Sequence, residues 1–398
     1  MSRNLPLYRY FLFARSLLFW QAIWFLYFQG VLSAQEAIVL AALYDVGVVV
    51  LEVPSGYLSD AVGRKPTLAL AALATAAGCF LIYASTDFTM LALAQLLLGA
   101  GTAFASGSDN ALLYDTLAAE GRENEVAEQE LIAWRYQYWG LAASAVTGGV
   151  IGYYSMPLAF LLSAIASGVA IAIMAMCTEP PLSGKARVEP PISQLTTIIA
   201  KTKDRVLLWL FVFVVAGYSL SHVPFVFAQP YLRESLAGGA WAAQTPIIAG
   251  LIVSAMMVMS VIAGHIAPHL NARMGNAGSF LVAAGMQLGL IAIMALVLHP
   301  GVIPLLLLRM VPDALSKPYM LAMVQPRLES AYRASYLSVQ SLIARIFFSA
   351  GLFAAAAGAS QTGELSPEDM ATILPYFAAA GLVVWLLLAV TRGVLRDK

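Results

Sequence analysis

The sequence predicts an all-α membrane protein with twelve transmembrane helices, and three observations support this fold class. Hydrophobic residues make up 60% of the chain and charged residues 11%, with a mean hydropathy of +0.79, whereas a soluble domain carries about 25% charged residues. Twelve apolar stretches are long enough to cross the roughly 30 Å of hydrocarbon in a bilayer. The basic residues are concentrated on one of the two sides that these stretches define.

The twelve predicted spans fall into two sets of six. Spans 1 to 6 comprise residues 8–30, 37–58, 67–85, 89–113, 130–151 and 157–177. Spans 7 to 12 comprise residues 206–229, 244–266, 277–298, 301–323, 335–358 and 370–391. A polar segment with four prolines and four basic residues separates the sets. We therefore predict a six-helix bundle at 1–177, a cytoplasmic linker at 178–204 and a second six-helix bundle at 205–398.

The orientation of the chain follows from its 22 lysines and arginines. Sixteen of them lie near the termini, including Arg9 at the start of span 1, or in even-numbered loops. Five lie deeper within spans, and only Arg233 lies in an odd-numbered loop. Cytoplasmic loops carry the excess of basic residues in membrane proteins. Both termini and the linker are therefore predicted to be cytoplasmic, which agrees with an even number of spans.

Spans 2 and 3 are joined by residues 56–65, Gly-Tyr-Leu-Ser-Asp-Ala-Val-Gly-Arg-Lys. The glycines at 56 and 63 are expected to allow close backbone approach and a sharp turn. The segment matches every fixed position of the pattern Gly-x-Leu-x-Asp-x-x-Gly-Arg-Lys, and it therefore resembles the loop between helices 2 and 3 of the major facilitator superfamily. The resemblance implies two pseudo-symmetric six-helix bundles that transport solutes by alternating access.

The resemblance also implies a cytoplasmic gate. In the family, the acidic residues and the arginine that match Asp60, Arg64 and Asp115 form a charge relay that stabilises the outward-open state. Asp115 closes span 4 on the membrane face where residues 56–65 lie. The predicted gating residues are Gly56, Asp60, Gly63, Arg64 and Asp115.

The two halves are expected to repeat each other. Residues 264–275, in the predicted loop between spans 8 and 9, occupy the place of a second copy of the loop motif but contain no aspartate. The arginines repeat more clearly between the halves. Arg122 precedes span 5 and Arg135 lies inside it, and in the same way Arg333 precedes span 11 and Arg345 lies inside it. A loop arginine and a buried arginine are thus predicted in each half.

Two other family patterns are altered. In span 4, Gln95 replaces the arginine of the pattern Arg-x-x-x-Gly, and span 5 lacks the Gly-Pro pair that is associated with antiporters. Gly140, Gly148 and Gly149 of span 5 remain and are expected to allow close helix packing. The departures weaken the case for proton-driven drug antiport.

Charged residues inside spans are candidate functional groups, because each costs about 2.5–3.5 kcal/mol at the centre of a membrane helix and should face a partner or a water-filled cavity. In span 10, Arg309, Asp313 and Lys317 are four residues apart, which places them on one face of a helix. This ladder either neutralises itself or faces a cavity and binds an anionic group.

Charged residues of other spans leave several alternatives open. Glu52, Asp109 and Arg135 form either a structural ion-pair cluster or part of the transport site. Asp45 has no basic residue within four positions on its own helix, and desolvation of a carboxyl favours the protonated form that a proton carrier needs. Alternatively, Asp45 pairs with Arg345 as a second gate or is solvated at the cavity mouth. The candidate proton-coupling residues are Asp45, Glu52, Asp109 and His222.

The resemblance implies that spans 1, 4, 7 and 10 line a central cavity. Trp20 and Trp24 near the middle of span 1 either pack against lipid or line the substrate site. His222 is either a coupling or binding group or a hydrogen-bonded histidine beside the kink expected at Pro224. The candidate substrate-binding residues are Trp20, Trp24, Asp109, Arg135, Tyr218, His222, Arg309, Asp313, Lys317 and Arg345.

The sequence disfavours other functional classes. It contains neither a His-Glu-x-x-His nor a Gly-x-Ser-x-Gly motif, so no enzyme is expected, and it contains no Gly-x-x-x-x-Gly-Lys-[ST] loop for an ATP-driven pump. His265 and His269 are four residues apart at a predicted helix end, where a structural role is expected rather than a metal site. We predict a multi-pass secondary transporter of the bacterial inner membrane, without cofactor or nucleic-acid partner.

The expected partners are a small organic substrate, protons and the lipid bilayer, and the expected oligomeric state is a monomer. Five basic residues against four acidic residues within the spans favour an anionic or zwitterionic substrate, whereas the aromatic span 1 suits amphiphilic compounds. The leading hypothesis is proton-coupled efflux of small amphiphilic compounds. The alternative is proton-coupled uptake of an anionic metabolite or a metal chelator.

Overall fold

The computed structural model describes residues 3–181, 204–328 and 330–396, which form helices joined by turns. Most of the predicted linker, including its four basic residues, lies outside the described residues. The chain divides into two compact units. Unit 1 contains the described parts of Met1–Leu32, Val39–Val188 and Pro246–Ser254, and unit 2 contains those of Ser33–Ile38, Glu189–Thr245 and Ala255–Lys398. The bundle boundaries at 177 and 205 stay a prediction.

The helices follow the predicted spans in chain order. The first eight are α1 (Asn4–Arg15), α2 (Trp24–Val31), α3 (Ala34–Val62), α4 (Arg64–Ala84), α5 (Phe88–Ala105), α6 (Ser108–Ala118), α7 (Val126–Tyr154) and α8 (Met156–Met176). After the linker come α9 (Arg205–Leu236), α10 (Thr245–Leu296), α11 (Ile303–Leu306), α12 (Val311–Val324), α13 (Ser330–Ala357) and α14 (Pro367–Thr391).

Among the described residues, eight helices are long and apolar enough to cross a membrane, and the bent pair at the N-terminus would make nine. The number is below twelve partly because α10 covers spans 8 and 9 together, α7 is rich in polar and aromatic residues, and span 10 is divided. The chain is thus an all-helical protein with many apolar spans. The twelve crossings and the cytoplasmic termini stay predictions.

Three predicted spans are broken helices. Span 4 is divided between α5 and α6, where Gly107 has φ 75°. Span 1 bends by 46° between the segments Asn4–Ala22 and Trp24–Val31. In span 10, residues 307–310 form a turn between α11 and α12. Pro312 follows this turn, and a proline ring has no N–H to donate and clashes with the carbonyl four residues earlier. The continuous helix that the ladder of span 10 requires is therefore interrupted.

The loop predicted between spans 8 and 9 is also different in the structure. α10 continues through residues 264–274, and only Gly275 (φ 69°, ψ 175°) has a non-helical backbone. His265 and His269 therefore lie inside a helix, exposed, and not at a helix end.

Small residues set the close packing of unit 1. A Cβ atom at Gly140 of α7 would lie 2.7 Å from Phe13 O of α1, and one at Gly148 would collide with the backbone of Phe19. At Gly47, a Cβ atom would lie 2.7 Å from Leu96 O of α5. The close packing expected from the glycines of span 5 is confirmed, since small side chains let membrane helices approach.

Hydrogen bonds from large aromatic side chains connect the helices of unit 2. Trp209 Nε1 of α9 donates to Leu388 O of α14 at 3.2 Å, and Tyr336 Oη of α13 donates to Leu207 O of α9 at 2.8 Å. Buried indole and phenol groups need such partners. They hold α9, α13 and α14 together, and α9 also lines the pocket described below.

Candidate functional site

The junction between α3 and α4 is a single residue, Gly63. Its backbone has φ 121° and ψ 163°, a region that essentially only glycine occupies. A Cβ atom here would lie 2.6 Å from Glu179 Oε1. The sharp turn expected at Gly63 is confirmed. We define the Gly63 junction by its members, which are Ser59, Asp60, Gly63, Arg64, Asp115 and Glu179.

Gly56 does not take part in this turn. α3 continues as a helix through Gly56 to Val62, Gly56 is exposed, and no atom of another element lies within 4 Å of the place of its missing Cβ. A sharp turn at Gly56 is wrong, because α3 stays helical up to Gly63. The close backbone approach expected there is also wrong, because no other described element lies near Gly56.

Arg64 connects the acidic residues of the Gly63 junction. Its Nε lies 3.2 Å from Asp115 Oδ2, its Nη1 forms an ion pair with Asp60, and Nη1 also donates to Ser59 Oγ at 3.0 Å. The side chain of Asp115 is only 6% exposed and that of Arg64 18%. A carboxylate this buried requires a charged or hydrogen-bonding partner, and Arg64 provides both.

Glu179 is a member of the junction that the sequence analysis did not find. Its carboxylate accepts hydrogen bonds from the backbone N–H groups of Arg64 (2.7 Å) and Lys65 (2.8 Å). An anion at a helix N-terminus pairs with unsatisfied N–H groups and with the helix dipole. Glu179 therefore caps α4 from a position 115 residues away in sequence.

Gly275 makes an equivalent turn in unit 2, with uncharged partners. Asn271 Nδ2 donates to Asn276 Oδ1 at 2.8 Å and lies 3.5 Å from Ser279 Oγ. Asn276 Nδ2 lies 3.2 Å from Met323 Sδ of α12. We define the Gly275 junction as these five residues. The expected second copy of the loop motif thus exists as a backbone turn held by amides.

The predicted cluster of Glu52, Asp109 and Arg135 is not assembled in this form. Asp109 Oδ2 of α6 pairs with Arg15 Nη1 of α1 at 3.5 Å, whereas Arg135 is exposed on α7 and Glu52 is partly buried on α3. The buried arginine expected in span 5 is wrong, because Arg135 is exposed on α7. Asp45 is 3% exposed, and its role as proton carrier or second gate stays a prediction.

The tryptophans of span 1 belong to an aromatic cluster in unit 1. Trp20 stacks on Phe160 with ring centroids 6.2 Å apart, and Trp24 packs edge-to-face on Phe25 at 5.3 Å. Trp24 is 5% exposed, so its ring does not lie on the outer surface of the chain, as a lipid-facing ring would. Its role in substrate binding stays a prediction.

In unit 2, Tyr218, His222 and Arg345 lie together. The rings of Tyr218 and His222 stack with centroids 3.8 Å apart, and His222 Nδ1 lies 2.8 Å from Tyr218 O. Arg345 Nη1 of α13 donates to Tyr218 Oη at 2.9 Å. Phe348 closes the group edge-on, 5.6 Å from His222. His222 is therefore hydrogen-bonded, and its role in coupling or binding stays a prediction.

The ladder of span 10 is only half formed. Lys317 Nζ pairs with Asp313 Oδ2 at 2.9 Å. Arg309 lies in the turn before α12 and donates instead to Ser221 O at 3.5 Å, with its guanidinium 5.2 Å from the centre of the Phe225 ring. The broken helix separates Arg309 from the other two residues, so the prediction of one continuous ladder is wrong.

A pocket of about 100 Å³ in unit 2 brings several predicted residues together. Tyr218, His222, Asp313 and Lys317 line it. The sequence analysis missed its uncharged polar lining, Ser221, Gln287 and Ser316. Isolated polar residues in apolar spans were the signal for these positions, since buried polar groups need partners.

Outside the spans, Arg122 organises the loop before α7. It pairs with Glu125 at 2.7 Å and with Glu120 at 2.9 Å, and the hydrogen bond from Arg122 lowers the pKa of Glu125. Gln129 Nε2 approaches Glu125 at 3.5 Å, and Arg9 donates to Gln129 Oε1 at 2.6 Å. The loop arginine thus ties the start of α7 to α1.

Comparisons with known proteins agree with this architecture. A family model described as Major Facilitator Superfamily matches residues 10–356. A crystal structure of the nucleoside transporter NupG is similar, with 15% identity and a TM-score of 0.78 over 99% of this chain and 100% of that one. The peptide transporter POT in complex with sulfate has 14% identity and a TM-score of 0.76 over 99% and 95% of the two chains.

A POT family transporter in complex with 5-aminolevulinic acid is also similar, with 12% identity and a TM-score of 0.72 over 100% of this chain and 97% of that one. Identities this low show the fold alone. No curated protein sequence matches the chain.

Proposed function

Because the chain belongs to the major facilitator superfamily, we propose that it is a secondary active transporter that moves a small organic solute by alternating access. Membership makes it a multi-pass membrane transporter, and the prediction that it is not an enzyme is confirmed. The proposed direction is export of amphiphilic compounds, with protons as the driving ion. The proposed setting is a monomer in the bacterial inner membrane with both termini in the cytoplasm.

One observation carries this proposal. The pocket of unit 2 combines stacked rings, Tyr218 and His222, with an ion pair, Asp313 and Lys317. Charged residues in membrane helices usually face water-filled cavities and mark substrate or ion pathways. Ligand sites combine apolar walls with a few placed polar groups. A solute with both apolar and polar parts suits such a pocket.

Proton coupling is proposed at Asp45. It is 3% exposed within the apolar helix α3, and an ionisable group at such a site marks an ion or proton pathway by default. Asp109 and His222 are the next candidates, since the ion pair of Asp109 with Arg15 is as long as 3.5 Å and His222 lines the pocket.

The alternative function, uptake of an anionic metabolite or a metal chelator, is favoured by a different observation. Arg309 and Lys317 carry two positive charges around the pocket region, and Asp313 carries one negative charge that Lys317 already binds. This excess of positive charge suits an anionic solute.

Everted membrane vesicles that contain the chain test the proposal. A panel of amphiphilic and anionic compounds is offered with and without an imposed proton gradient, and vesicles without the chain are the control. Export predicts accumulation inside the vesicles that collapses with the gradient. Accumulation that survives the loss of the gradient contradicts proton coupling, and loss of a preloaded anionic compound supports uptake instead.

Two variants complete this experiment. Asp45→Asn should abolish gradient-driven accumulation but spare solute exchange, in which no net proton moves. Asp313→Asn should fold, because Asp313 and Lys317 are 33% and 66% exposed, and should shift preference towards anionic solutes. Normal pH dependence in Asp45→Asn would move the proton role to Asp109 or His222.

A further inference from the structure

Unit 2 contains a second cavity, of about 170 Å³, beside the polar pocket. Its walls are mostly apolar, with Leu220 and Pro224 from α9, Leu290 and Ile293 from α10, and Leu308 from the turn after α11. An apolar cavity of about 150 Å³ holds a benzene-sized molecule. This cavity therefore has room for one aromatic ring or a short hydrocarbon group.

Arg309 is the charged group in the lining of this cavity. Its described contacts are the 3.5 Å hydrogen bond to Ser221 O and the Phe225 ring. Among the described residues, no carboxylate forms an ion pair with Arg309, and Asp313 is bound to Lys317 at 2.9 Å.

The turn at residues 307–310 explains why Arg309 lies at the cavity. In a continuous helix, Arg309 and Asp313 would be neighbours on one face. The break before Pro312 takes Arg309 out of that register and brings it to Ser221 of α9. A guanidinium has five N–H donors, and one long bond to a carbonyl leaves most of them available.

A positive charge beside apolar walls favours a ligand of defined chemistry. In a site of low dielectric, a charged donor gains most from an ionised acceptor, and arginine holds a carboxylate through two parallel hydrogen bonds. The apolar walls favour a hydrocarbon or aromatic group on the same ligand.

We propose that this cavity binds an organic anion, with a benzene-sized apolar group between α9 and α10 and a carboxylate on Arg309. The proposal rests on the proposed transport function and names its substrate class, an aromatic or short-chain carboxylate. Gln287 lines both this cavity and the polar pocket, so a longer substrate extends from one into the other.

Equilibrium binding to the purified full chain in lipid nanodiscs tests the proposal without any gradient. The probes are phenylacetate, phenylacetamide and phenethylamine, which share the aromatic ring and differ in head-group charge. Calorimetry should show that phenylacetate binds at least about tenfold more tightly than the neutral amide, as expected for a hydrogen bond to a charged group. Phenethylamine should bind most weakly.

Two variants separate the apolar and the charged part of the site. Gly289 lines the cavity, and no atom of another element lies within 4 Å of the place of its missing Cβ, so Gly289→Leu fills the cavity and should abolish binding of phenylacetate. Gly264→Leu is the matched control on the same helix, since Gly264 is exposed and equally unobstructed. Arg309→Gln should remove the preference for phenylacetate over the amide.

Unchanged phenylacetate binding in Gly289→Leu, or equal affinity for the three probes in the wild-type chain, would overturn the proposal. Failure of transport in vesicles is a separate outcome. Phenylacetate that binds at equilibrium but is not moved leaves the site in place and contradicts its role as a transport site.

Discussion

The two glycine junctions of the molecule have similar backbone turns but different side-chain chemistry. Gly63 in unit 1 and Gly275 in unit 2 each end one long helix and start the next, and both have positive φ with an extended ψ. Around each glycine, the side chain four positions before it bonds to the side chain one position after it. These pairs are Ser59 with Arg64, and Asn271 with Asn276.

The difference lies in the charge of the partners. Arg64 reaches two aspartates and its backbone N–H reaches Glu179, whereas Asn276 reaches a methionine sulfur. Interactions with charged groups are stronger than those between neutral groups and depend on ionisation and salt. A turn can therefore be held by amides alone, and the charges at the Gly63 junction are available for a gate, as the family resemblance predicts.

The largest effect is expected at the glycines themselves. Gly63→Ala should lower the free energy of unfolding by about 2–4 kcal/mol, because backbone strain adds to the loss of the cap from Glu179. Gly275→Ala should cost about 1–3 kcal/mol, since only the backbone is strained. Unfolding of the purified variants measures both, with the helical Gly264→Ala as control. Equal losses would show that Glu179 does not stabilise the junction.

Substitutions of the polar side chains at the two junctions are expected to lower the free energy of unfolding by smaller amounts. Asp115→Asn should cost about 1–3 kcal/mol, because it removes the negative charge from a buried partner of Arg64 and leaves the guanidinium partly buried. Asn276→Ala should cost about 0.5–1.5 kcal/mol, the range of a neutral hydrogen bond. Unfolding in the same membrane mimetic compares them. A greater loss of stability for Asn276→Ala than for Asp115→Asn would mean that the side chains stabilise the Gly275 junction more than the Gly63 junction.

The smallest effect is expected at the helix cap. Glu179→Gln keeps one acceptor for the N–H groups of α4 but loses the charge, so we expect a loss of about 0.5–1 kcal/mol. The loss of stability should be smaller at high salt than at low salt, because salt screens charges. Glu123→Gln, at an exposed acid, is the control. A loss that does not depend on salt would mean that Glu179 stabilises α4 through the geometry of its hydrogen bonds and not through its charge.

The sequence was most informative where charge and spacing act locally. Asp60 and Arg64 of residues 56–65, and Asp115 by resemblance, were predicted and lie together. Glu179 was missed because its partner is backbone, which has no sequence signal. The ladder of span 10 is wrong because helical spacing does not hold across the proline break. Gly275 does not lie in a loop, because residues 264–274 before it are helical.

Transport by the junction variants tests the central claim most directly, which is that charge at the Gly63 junction gates the transporter. The measurement is the initial transport rate of the best substrate from the vesicle screen, at matched protein content in the membrane. Asp60→Asn and Asp115→Asn should each lower the rate at least about tenfold, which corresponds to a change of about 1.4 kcal/mol. Asn276→Ala should transport at nearly the wild-type rate. Wild-type rates in both aspartate variants would contradict the claim.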